Sequence, residues 1–235
     1  MLIDTSGAIE RNRELLQASA WAMENVALGN AAINILRASC DLDLKSDDHV
    51  TVLRLAIRLI NTAGAAGDAL MSGYYQPTAA LIRDLIEVGF LIDLFRREPK
   101  KVAEWRLGDR SLRKKGFSAF ELRKALNRLD GSTENKRDEA YQYFTSHGTH
   151  VDPDAIALTS PNRMTFVGPF PDRDRLVGLS FDLARYLAAA TEYFIHWLLL
   201  QQSGAGPKVD IVAGHIDRFR EACNDMATRQ TDPQA

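Results

Sequence analysis

Hydrophobic positions recur at three- and four-residue intervals along most of this chain, the period of an amphipathic helix, and only one long stretch lacks that rhythm. Between Pro77 and Arg97, PTAALIRDLIEVGFLIDLFRR is apolar nearly all the way round. A helix with no side content in water belongs in the centre of a bundle. Pro77 suits a first turn whose N–H groups have no intrahelical partner, and Pro99 follows the far end, where the chain must leave the helix. At ~100° per residue, Arg83, Asp84 and Glu87 fall within one arc of this otherwise greasy rod. Buried charges persist only when paired and hydrogen-bonded, so that cluster must meet complementary groups from elsewhere in the fold.

The flanking segments complete an all-α expectation. A first helix is predicted over Ala8–Ser39, where Trp21, Leu28 and Ile35 recur every seven residues, with Asn25, Asn30 and Asn34 as hydrogen-bonded or solvent-facing polars. A second is predicted from about His49 to Ser72, capped by Asp47 or Asp48. Its Gly64 and Gly67, set among alanines, suggest close approach of another helix. A short helix, KKVAEWRLGDR, leads into a basic connection, SLRKKG. Ser118-Ala-Phe-Glu121 reads as a capping box that opens a helix ending near Asp130-Gly131. Further helices are expected over Thr133–Ser146, over Leu176–Gln202 and from near Val209. In the last, Val212, Ile216, Phe219, Cys223 and Met226 form a narrow stripe for the bundle or a partner subunit. Residues 148–175 are the aperiodic stretch: a long loop stiffened by prolines, with a small β-hairpin expected about Ser160-Pro-Asn-Arg163. The reading is a single all-α domain of seven to eight helices, with a core over 8–228 and a disordered tail over 229–235.

Composition changes this picture little. The net charge is −2 over 235 residues. The N-terminal MLIDTSGAIERNRELL has acids and polars where a signal peptide needs an apolar stretch. Arg185, Glu192 and His196 interrupt the most apolar run, so no membrane partner is expected. Cys40 and Cys223, without CxxC spacing, suit reduced thiols in a cytoplasmic protein.

Charge distribution does change it. Between Arg96 and Arg128 twelve cations face four acids, a local +8 in a chain of net −2. Arg106, Arg110, Arg113, Lys114 and Lys115 form the densest part and are the candidate nucleic-acid contacts, with Trp105, Phe117 and Phe120 interleaved where they could stack on bases. The alternative is a solvated basic face with its aromatics turned into the core. A second candidate is Ser146-His147-Gly148-Thr149-His150-Val151-Asp152-Pro153-Asp154. Imidazole and carboxylate are metal-ligand types, but the spacing matches no metal motif, so neither metal nor cofactor is expected. The preferred reading has His147 or His150 folding inward to hydrogen-bond the Arg83–Asp84–Glu87 cluster. Glu192 and His196, at i and i+4, read as a structural pair. GxSxG, Walker and GxGxxG signatures are missing.

The buried IRDLIE helix, a later helix ending in YFTSHGTH, a proline-bearing loop and a long aromatic-rich helix together give the chain a family likeness. Over roughly Gly73–Gln202 it resembles uncharacterised bacterial all-helical proteins grouped loosely with the HEPN and abortive-infection superfamily. That resemblance implies a helical bundle, a homodimer, RNA or a partner protein as ligand, and a role in phage defence. The family's Arg-x4-6-His motif is absent, since no histidine has an arginine at that distance upstream. A non-catalytic relative with a binding or regulatory role is therefore expected. The alternative is a nuclease or metal-dependent hydrolase that assembles its site from Arg83 and Glu87, with His147 or His150 as general acid–base.

Overall fold

The computed structural model describes residues 3–42, 46–151, 153–160, 164, 166–201 and 207–230. They form eleven α-helices: α1 (Ser6–Gln17), α2 (Ala20–Ser39), α3 (Asp47–Met71), α4 (Tyr75–Arg97), α5 (Lys100–Leu107), α6 (Arg110–Phe117), α7 (Ala119–Asp130), α8 (Lys136–Phe144), α9 (Pro153–Ala157), α10 (Arg173–Gln201) and α11 (Pro207–Gln230). A π-helical turn, Thr145–Thr149, continues α8. The all-α expectation holds, but seven to eight helices was too few, because polar side chains break two long segments. Ser19 accepts a hydrogen bond from the Ala22 N–H and restarts the chain as α2, so the rod expected over Ala8–Ser39 is two helices. Asp109 does the same for Leu112, and the expected basic connection becomes α6. Ser46, not Asp47 or Asp48, caps α3. Ser118 caps α7 as its box predicts, and Gly131 ends that helix at φ 62°, the left-handed conformation glycine adopts without strain. The aperiodic stretch begins within the π turn and contains α9. Of the expected hairpin the described residues show one backbone hydrogen bond, from Phe166 to Thr159, and no strand, while 161–163 lie outside the described residues.

The central helix is where its pattern predicts. α4 packs most extensively on α10 and α3, and residues from Ile82 to Phe95 are buried on nearly every side. Gly89 lets α10 close in: a Cβ there would stand 3.2 Å from that of Ala190. Asn12, wholly buried on α1, donates to the Leu70 and Met71 carbonyls at the end of α3. Leu70 also accepts from the Gly73 N–H, so the amide adds to the turn that closes α3 while docking α1. α11 lays Val212, Ile216 and Phe219 on α2, which uses that stripe within the chain. Met226 lies outside the described side chains. No helix among the described residues is long and apolar enough to cross a membrane.

Candidate functional site

The three charges at the start of α4 part company in the fold. Asp84 turns to α3, where Arg58 grips both its oxygens and the Thr62 hydroxyl donates to Oδ2 at 2.9 Å. Arg83 and Glu87 turn to α8. Arg83 donates through Nη2 to Glu87 Oε1 at 2.6 Å and to the Tyr141 hydroxyl, and through Nε to Thr145 Oγ1 at 3.1 Å. Tyr141 in turn donates to Glu87 Oε1 at 2.7 Å. The Arg83 and Arg123 guanidiniums lie 4.8 and 4.2 Å from the centroid of the Tyr141 ring, a double cation–π contact. Arg123 is buried, with a 2.9 Å ion pair to Asp138. Burial, then the hydrogen bond to Glu87, pushes the Tyr141 phenol above its ordinary value despite Arg83, so it remains a donor.

The π turn brings its residues to α4 by backbone, not by imidazole. Gly148 sits so close that a Cβ would stand 2.5 Å from the Ala80 amide nitrogen, and its carbonyl accepts from Gln76. No side chain but hydrogen fits there. The inward-folding histidine expected from sequence is not what meets Arg83 and Glu87. His147 stacks on Tyr143 at 4.2 Å, with Nδ1 against the Tyr143 carbonyl at 2.8 Å, and His150 is exposed. Tyr141 and Thr145 supply the complement instead. Both lie on the buried face of α8 and its extension, four residues apart, and that i, i+4 spacing was the available signal. Asp152 and the Asp154 side chain lie outside the described residues. Among the described residues no three His, Cys, Asp or Glu side chains cluster as a metal site.

Chemically, the Arg83 group is self-neutralised. Its guanidinium already serves a carboxylate, a phenol and a hydroxyl, which docks α8 onto α4. The most deeply buried charge on α4 is one the hydrophobic pattern hid. Asp93 is 0% exposed, and its Oδ1 accepts from Arg96 at 2.5 and 3.0 Å and from Arg97 at 3.0 Å. The D-x-x-R-R spacing places both arginines one turn on.

That pairing begins to divide the basic run. Arg97 also reaches Asp130, Lys101 pairs with Glu104 at 2.6 Å, and Arg128 with Glu98 at 3.5 Å. Arg106, a candidate nucleic-acid contact by sequence, instead holds Asp48 and Asp47 at 3.1 and 3.2 Å, tying α5 to the start of α3. What stays unpaired among the described residues is concentrated on α6. Arg110, Arg113, Lys114 and Lys115 are exposed and form no ion pair, on a helix with no buried residue. Arg110, Arg113 and Lys114 share one face. Of the interleaved aromatics, Trp105 and Phe117 pack edge-on against Phe95, while Phe120 is 62% exposed at the start of α7. Leu107 and Leu112 are exposed as well.

Glu192 and His196 pair at 3.1 Å on α10, the structural pair their spacing predicts, and Arg220 of α11 joins them at 3.4 Å, a link between helices that the spacing did not show. No protein-family model, curated protein or solved structure matches this chain.

Proposed function

We propose that the protein binds a polyanion, single-stranded RNA, through the exposed surface of α6 and the start of α7. The observation that carries this reading is the set of four cations on α6, Arg110, Arg113, Lys114 and Lys115, which the fold leaves without carboxylates while engaging Arg96, Arg97, Arg106, Arg123 and Arg128. Unpaired cations in water release counterions on meeting phosphates, and the exposed Phe120 ring beside them offers a face for a base. A regulatory or binding role fits better than catalysis. A catalytic arginine must be free to take up developing charge, whereas Arg83 is already shared among three acceptors.

Fluorescence anisotropy with a labelled oligouridine tests the proposal. Affinity should fall with salt, with a log–log slope of about −0.7 per phosphate contacted, near −3 for four contacts. Replacing Arg110, Arg113, Lys114 and Lys115 with Glu should abolish binding, and Phe120→Ala should weaken it by about 1–3 kcal/mol. Unchanged affinity in the fourfold variant overturns the reading.

A further inference from the structure

α7 has two faces, and the outer one carries on from α6. Leu122, Arg123 and Leu126 are its buried residues and lie on the side turned to α4. At ~100° per residue, Phe120 and Lys124 fall within about 40° of each other on the opposite side, one turn apart. Both are exposed. Lys124 forms no ion pair among the described residues, although Glu121 stands three positions back, at a spacing that permits one. Arg128, one turn further on, is held by Glu98 at 3.5 Å, so the free charge of α7 lies at Lys124.

The joint with α6 fixes where this stripe begins. Ser118 ends α6 and caps α7, its Oγ accepting from the Glu121 N–H at 3.4 Å. Phe117, just before it, packs against Phe95 of the central helix. With the joint anchored, the Phe120 ring has cations on both sides. Lys114 and Lys115 close α6 a few residues before it, and Lys124 stands one helical turn, about 5.4 Å, after it. A nucleic-acid strand repeats the same order, since each internal base has a phosphate on either side. Inside a duplex both faces of a base are covered by its neighbours, so only an unpaired base can lie on the ring. A base at the end of a strand lacks one of the two phosphates.

We infer that Lys124 is a further phosphate contact of the RNA surface, and that the site takes an unpaired nucleotide from inside a strand. Its base lies on Phe120, one phosphate meets the end of α6 and the other meets Lys124. This rests on the RNA reading of α6 and adds to it a residue and the form of nucleotide that the surface accepts.

Anisotropy titrations of labelled oligouridine over a salt series test it. Losing one phosphate contact should make the log–log slope of Lys124→Gln shallower than that of the wild type by about 0.7. Arg54→Gln is the control, because Arg54 is exposed and without an ion pair among the described residues but stands on α3, and its slope should match the wild type. Uridine 3′,5′-bisphosphate should displace the oligonucleotide from the wild type at about two- to five-fold lower concentration than uridine 5′-monophosphate, the scale of one exposed charge contact. The two should compete alike for Lys124→Gln. An unchanged slope in Lys124→Gln, or the same loss in Arg54→Gln, overturns the assignment of Lys124 and leaves the α6 reading standing. Equal competition by the two nucleotides for the wild type overturns the two-phosphate geometry. A wild type that binds no oligouridine removes the α6 reading and this inference with it.

Discussion

Arg96 and Arg97 of α4 and the cations of α6 lie within one basic segment of sequence, yet the fold puts them to opposite uses. Arg96 and Arg97 surround a carboxylate sealed from water, and Arg83 is locked into a phenol–carboxylate pair. Arg110, Arg113, Lys114 and Lys115 face water with no carboxylate in reach. Local charge density did not distinguish these groups. What did is where the acids come from. Asp130, Asp138, Asp47 and Asp48 lie outside the segment between Arg96 and Arg128, and folding carries them to Arg97, Arg123 and Arg106, while Asp93 meets Arg96 and Arg97 one turn along α4 itself. Cations near α3, α4 and α8 are neutralised in this way, and those on the outlying α6 are not.

If this division is right, the two groups respond differently to perturbation. The largest effect is expected at the sealed carboxylate. Asp93→Ala strips Arg96 and Arg97 of their shared acceptor and should cost about 3 kcal/mol of unfolding free energy in urea titrations. That is the low end for breaking a buried pair, because both arginines keep some access to water. A loss below about 1 kcal/mol would show that the pair is no better sealed than a surface one.

A second, somewhat smaller effect sharpens the contrast through pH. Burial, opposed by hydrogen bonds with the Asp172 backbone and Asn12, pushes the Tyr75 phenol up to about 12. An acid whose folded pKa lies above its unfolded value of about 10 holds its proton more tightly when folded. Its contribution is complete below about pH 10 and is lost as pH rises towards 12, by about 2–3 kcal/mol in all. Denaturant titrations between pH 9 and 12 should show that slope in the wild type and a flatter one in Tyr75→Phe.

The smallest effect belongs to the exposed group. Replacing Arg110, Arg113, Lys114 and Lys115 together with Ala should change stability by less than about 1 kcal/mol, since each is a surface position away from any buried network. A large loss would mean that α6 is held to the bundle by these residues and is not free to receive a ligand.

Much of the fold was legible in the chain because periodicity reports burial directly. The rod around Ile86 and Ile92, the Ser118 cap and the Gly131 cap all follow from local chemistry, and the structure has them in place. The breaks at Ser19 and Asp109 were missed because a capping serine or aspartate looks like an ordinary polar residue when apolar positions continue on both sides. The candidate site was half legible. That Arg83 and Glu87 need partners follows from their setting in a buried helix, but the partners proved to be Tyr141 and Thr145, while His147 turned to Tyr143. A phenol attracts less notice than an imidazole in a sequence, although it can answer a half-buried ion pair as well. The glycines of α3 misled for a related reason. The same small residue permits close contact, as at Gly89, or stands in open space, as Gly64 and Gly67 do, depending on what lies opposite.

By itself the sequence determined that the chain is helical, which helix lies at its centre and that Arg83, Asp84 and Glu87 on that helix need partners. These follow from periods of three to four residues and from the cost of burying ions, both local. Which cations remain free, which hydroxyl answers Arg83 and which answers Asn25 were decided by tertiary structure alone. Arg106, Arg83 and Asn25 each depend on a group tens of residues away, and only packing brings it within the ~3 Å at which a hydrogen bond forms.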